Sequence, residues 1–117
     1  EQLIHWNPDY IFVDHAGSSG NATAEEVIAE MLKDTDYEGM TAVAKNRIVI
    51  VPTGVFFWDS GVQQPLLMLL LAKTLYPDRF GDINMRDTLK DFYTRFFRYD
   101  LTDEQADTIL AHRDPPR

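Results

Sequence analysis

Two short stretches, Tyr10-Ile11-Phe12-Val13-Asp14 and Arg47-Ile48-Val49-Ile50-Val51, carry strand character, and a helical pattern lies between them. Their apolar character is continuous rather than alternating, which belongs to strands covered on both faces in a parallel sheet. Between them, Thr23 and Glu26 form a capping box that opens a helix through about Leu32. Val27, Ile28, Met31 and Leu32 give that helix one apolar stripe. A strand, a helix and a second strand in one sheet require a parallel crossover, the unit of α/β folds. Pro52 closes the second strand, because it has no N–H to donate to a ladder.

The rest of the chain reads as helix. Glu1 to Trp6 has the pattern of a helix end stopped by Asn7-Pro8. A long helix begins near Gln64, with Pro65 in its first turn, and ends at Tyr76-Pro77. From Leu66 to Ala72 it is apolar on every side, which predicts deep burial or an interface. Leu89, Phe92, Tyr93, Phe96 and Phe97 set out the stripe of an amphipathic helix over about 85–97. Thr102 and Gln105 make a second capping box, Ile109 and Leu110 complete a short terminal helix, and Asp114 to Arg117 reads as a frayed end.

A chain of 117 residues suits one domain, 1–117. Five helices are more cover than two strands need. The expected architecture is therefore an α/β three-layer sandwich with a small parallel sheet, in which further strands are missing: a truncated lobe. An unpaired sheet edge and uncovered helix faces predict that the fragment self-associates.

Charge and composition remove several classes of function. Acidic residues outnumber basic ones 19 to 11, for a net charge of −8, and no basic cluster gathers to displace counterions, so nucleic acid is not an expected partner. With no cysteine there is no disulfide, thiolate metal site or thiol nucleophile. Glu1 to Tyr10 lacks the charged-then-apolar order of a secretory leader, so an exported parent would have lost its leader. The longest apolar run, Leu66 to Ala72, falls far short of the roughly 20 residues of a membrane helix. Phosphate-binding loops, dinucleotide fingerprints, nucleophile elbows and zinc-protease motifs are all missing, and the chain is not expected to be an enzyme.

Ligands of open α/β sheets bind at the carboxyl ends of the strands. There the sequence places Asp14, His15 and Gly17 after the first strand, and Thr53, Phe57, Trp58 and Asp59 after the second. Trp58, beside the polar Asp59 and Ser60, is the favoured aromatic wall for a large ligand, with Phe56 and Phe57 as neighbours or as core. Asp14 and His15 could hydrogen-bond a ligand, although one His beside one Asp lacks the spacing of a metal motif, and no metal site is expected. Glu25, Glu26 and Glu30 cluster on the first complete helix. Solvation near a positive helix end accounts for the first two, and docking on a basic partner is the functional alternative. His5 and His112 read as bystanders.

These segments also resemble a known family. The run from Glu1 to Val13, EQLIHWNPDYIFV, resembles the EQLL-x-WNPD-x-I segment of iron-siderophore and cobalamin (class III) substrate-binding proteins. Ala42 to Pro52 is similar to their AVKNGRVYxVP strand, with Arg47 where glycine is common, and Ala72 to Pro77 followed by Phe80 is similar to AKxLYPExF. Phe92-Tyr93, Phe96-Phe97 and Leu101 to Gln105 match the last two helices.

The resemblance implies the C-terminal lobe of a two-lobed, extracytoplasmic binding protein, periplasmic or membrane-anchored outside the cell. It implies a ligand held between the lobes and docking on ABC importer permease subunits, with ATP used elsewhere. The implied cargo is a ferric chelate, with haem, cobalamin or an oxyanion as lesser options, and no cofactor. Carried over by position, Asp14 to Gly17 and Thr53 to Asp59 line this lobe's half of the cleft, and one of Glu25, Glu26 or Glu30 docks. Two other readings stay open: a small α/β enzyme using Asp14, His15 and Asp59, and an interaction module presenting the apolar 66–72 helix.

Overall fold

A computed structural model describes residues 2–14, 24–54 and 57–112, in two compact units, Glu1–Val51 and Pro52–Arg117. In the first, α1 (Gln2–Trp6) ends where Asn7 turns left-handed, φ 43°, and its N–H returns to the Leu3 and Ile4 carbonyls. The same residue reaches 34 positions ahead: its Oδ1 accepts from the Thr41 N–H at 2.7 Å, at the start of α3 (Thr41–Ala44). The Pro8 carbonyl takes the next N–H, from Ala42, at 3.1 Å. The Asn7-Pro8 pair thus stops one helix and caps another. The turn formed by Thr35–Tyr37 and the whole of α3 fall where the sequence reads only as a polar connection.

Strands β1 (Ile11–Val13) and β2 (Ile48–Ile50) pair in parallel, Ile11 opposite Ile48 and Val13 opposite Ile50. The α/β class and the parallel sheet are as expected. On one face, Ile11, Val13, Ile48 and Ile50 pack against Val27, Ile28 and Met31 of α2 (Ala24–Met31) and Val43 of α3. On the other, Tyr10 stacks on Phe12 with ring centroids 6.4 Å apart, and the Arg47 guanidinium lies 4.9 Å from the Tyr10 centroid. Arg47 thus acts as a cation–π lid on β1 and sits 3.8 Å from Asp9. Thr23, half of the expected capping box of α2, lies outside the described residues.

The second unit is helical. A short 3-10 turn, Gly61–Gln63, leads into α4 (Gln64–Leu75), with Pro65 in its first turn as expected. Pro77 does more than end α4, since it opens α5 (Pro77–Phe80) at the N-terminal position where proline's missing N–H costs nothing. Asn84 caps α6 (Met85–Phe92), accepting from the Arg86 and Asp87 N–H groups. The segment Tyr93–Phe97 continues α6 as π-helix until Arg98, at φ 53°, turns the chain away. In α7 (Asp103–Leu110) the expected Thr102/Gln105 capping box forms in both directions.

Leu66, Leu89, Phe92, Tyr93, Leu101, Ala106 and Ile109 are buried in this unit. Across the α6–α7 pair, Arg86 grips Asp107 through two bonds, 2.6 and 2.8 Å, and Lys90 pairs with Asp103. The Lys90 ammonium, chiefly through its hydrogen bond, holds the Asp103 carboxyl below its ordinary range. A lowered pKa gives a contribution that is present above the unfolded carboxylate's value and lost as pH falls through the folded one. The drop in Tm between pH 7 and pH 3 should therefore be smaller in Asp103→Asn than in the parent. Equal drops would show that the pair contributes nothing.

Of the two expectations for Leu66 to Ala72, deep burial or an interface, the burial does not occur, for only Leu66 of α4 is buried. Met68 is 60 % exposed, and Leu75, Tyr76 and Phe80 are exposed beyond it. So much open apolar surface predicts self-association of this 13.5 kDa chain. Light scattering should give a mass above the monomer's that falls in Met68→Lys, whereas a monomer at high concentration would refute the expectation. Among the described residues, no helix is long and apolar enough to cross a membrane.

Candidate ligand-binding site

Parallel, in-register strands end level with each other. The Val51 N–H donates to the Val13 carbonyl at 2.9 Å, so the two carboxyl ends lie side by side. Asp14 leaves the first of them half-buried. His15 and Gly17, expected beside it, lie outside the described residues, as do Val55 and Phe56.

After β2 the chain enters the second unit through Thr53 and Gly54, both partly exposed. Phe57 is half-buried and Asp59 is exposed, both compatible with a ligand-facing role. Trp58 is different. The sequence places it outward beside Asp59 and Ser60, but it is fully buried, at 0 % exposure. Its indole N–H has no acceptor among the described residues. The reason is hydrophobic area: the largest apolar side chain of the loop contributes most by leaving water, even with its one donor unmatched. Of the described residues expected on the rim, Trp58 is the one turned into the core, and it anchors the loop rather than forming its wall.

A polar floor lies beneath Thr53-Gly54 that sequence reasoning missed. Gln63 is buried, and its Nε2 donates to the Thr53 carbonyl at 2.9 Å. Gly54 has φ +71°, and a Cβ placed there would come within 2.5 Å of the Tyr93 hydroxyl and 3.5 Å of Gln63 Nε2. Tyr93 is itself buried. His112, expected as a bystander, is buried too, with φ 59°. The one available signal was Gly54 after Pro52, a pair that marks a turn. Gln63 had none, because an amide beside a turn reads as surface.

Glu25 and Glu26 are exposed in the first turn of α2, where the helix dipole favours them. Glu30 is exposed and paired with Lys33. Among the described residues no group of three or more His, Asp or Glu could hold a metal ion.

No family model matches the chain. It is 25% identical over 108 residues to the molybdate-binding protein MolA of Haemophilus influenzae, a match covering 91% of this chain and 29% of that protein. Among solved structures, it is similar to a periplasmic solute binding protein from Veillonella parvula, with 32% identity and a TM-score of 0.75 over 93% of this chain and 32% of that one. The molybdate-bound structure of MolA, from an ABC transporter of Haemophilus influenzae, matches in fold with a TM-score of 0.64 at 24% identity, over 86% of this chain and 29% of that one. The chain spans about a third of the length of these relatives. They are periplasmic solute-binding proteins and not enzymes, which agrees with the lack of catalytic motifs and leaves the enzyme reading of Asp14, His15 and Asp59 without a relative. Their names do not carry the narrower iron-siderophore or cobalamin expectation.

Proposed function

We propose that the chain is part of a periplasmic solute-binding protein that delivers a small oxyanion of the molybdate type to an ABC importer. The observation that carries this reading is the likeness to MolA along 91% of the chain. The side-by-side strand ends support a site at that edge, since parallel sheets present ligand sites there. The sequence after β1, His15 to Asn21, offers Ser18 and Ser19 hydroxyls and glycines at 17 and 20. Such a composition suits a small anion held by hydroxyl and backbone N–H donors. In the second unit, Thr53, Phe57 and the Asp59 backbone N–H are further proposed contacts, and the exposed Glu25, Glu26 and Glu30 are the proposed docking acids for the permease.

A ferric chelate is the second reading, favoured by the WNPD and LYP segments that the sequence shares with siderophore-binding proteins. Calorimetric titration of the complete protein with molybdate, tungstate, a ferric siderophore and cobalamin separates the two. Saturable binding of molybdate, without binding of the chelates, is the expected result. Binding of a chelate alone would transfer the assignment to iron or cobalamin transport, and binding of none would overturn the proposal.

A further inference from the structure

We infer that Gln63 is a positioning residue for the ligand-facing loop: its buried carboxamide clasps the Thr53 carbonyl and fixes how Phe57 and Asp59 are presented. The inference rests on the binding reading proposed above. The bond links residues ten apart in sequence and closes the loop 53–63 across its base. Gln63 is 1 % exposed, so water cannot substitute for the donor if the side chain is removed.

The loop is held at further points. Gly54 takes φ +71° against Tyr93 and Ile109, a close approach that leaves no space for a side chain. Trp58 is driven fully inward. Gly61, at φ +68°, turns the chain into the 3-10 segment that carries Gln63 itself. A compact loop with its ends tied and its own side chain as filler is a common means of displaying functional groups on a rigid base.

Gln63→Met tests this, because it keeps the volume and removes the donor. In the complete protein, affinity for sodium molybdate should fall on the order of tenfold, since the competent loop is then one of several populated conformers. Leu101→Val, a core truncation outside residues 53–63 in sequence, serves as the control: it should lower Tm without changing the affinity. A second readout needs no ligand. On a Trp6→Phe background Trp58 is the sole tryptophan, and Gln63→Met should red-shift its emission and admit acrylamide quenching at temperatures well below Tm. Unchanged Trp58 accessibility overturns the clasp, as does unchanged molybdate affinity in a parent that binds. A parent that binds neither molybdate nor ferric chelate overturns the proposed function instead, and the clasp then stands or falls on the fluorescence.

Discussion

Gly54→Ala should be among the most damaging single-methyl additions in this chain, costing about 2–5 kcal/mol. Two penalties combine. The backbone sits at φ +71°, where any Cβ meets the following carbonyl at a cost of roughly 1–2 kcal/mol. The added carbon would also lie 2.5 Å from the Tyr93 hydroxyl, which ends a rigid, buried ring. Relief requires moving either that ring or the Thr53-Gly54 backbone clasped by Gln63, and overpacking of this kind costs about 1–3 kcal/mol. In a domain of this size Tm should drop on the order of 8–20 °C.

Gly61→Ala separates the two penalties. Its φ is +68° with nothing within 4 Å, so it should lose only the conformational part, about 1 kcal/mol. Combining Gly54→Ala with Tyr93→Phe should recover roughly 1 kcal/mol or more relative to additivity. A Gly54→Ala protein melting within a degree of its parent would show that the loop base is soft, and strict additivity with Tyr93→Phe would show that the hydroxyl is not the obstacle.

The sequence revealed elements wherever the cause was local. Ile11 to Val13 and Ile48 to Ile50 are strands because continuous runs of β-branched and aromatic residues have few alternatives, and their parallel pairing follows from the helix between them. Pro65, and the Thr102/Gln105 box, mark helix starts through chemistry confined to one turn. What was not legible depended on distant partners. α3 is four residues long and begins where Asn7 and Pro8, over thirty positions earlier, accept its N–H groups. Pro77 is a stop for α4 and a start for α5, and only the first role shows in a local reading. The site divides in the same way. Strand ends could be named from order alone, but whether an aromatic in the loop faces ligand or core depends on what lies beneath it.

Trp58 carries the second large effect. It is fully buried, so Trp58→Ala should leave a large cavity and cost about 3–5 kcal/mol, a substantial fraction of a domain's usual stability. Trp58→Phe makes the sharper test. It loses part of the buried area but also removes an indole N–H that has no acceptor among the described residues, so the two changes oppose each other. The net cost should be about 1–2 kcal/mol, below what the lost volume alone predicts.

Anchor and ligand wall then diverge in binding. If Trp58 only holds the loop, Trp58→Phe should keep molybdate affinity within about threefold, while Phe57→Ala, a change on the displayed side, should weaken it more than tenfold. Ligand should also leave Trp58 emission nearly constant on the Trp6→Phe background. Strong quenching of Trp58 by ligand, with affinity lost in Trp58→Phe and kept in Phe57→Ala, would mean that the indole swings outward in the complete protein. The loop would then be a moving arm whose buried state is its resting position, and the clasp at Gln63 would be its hinge.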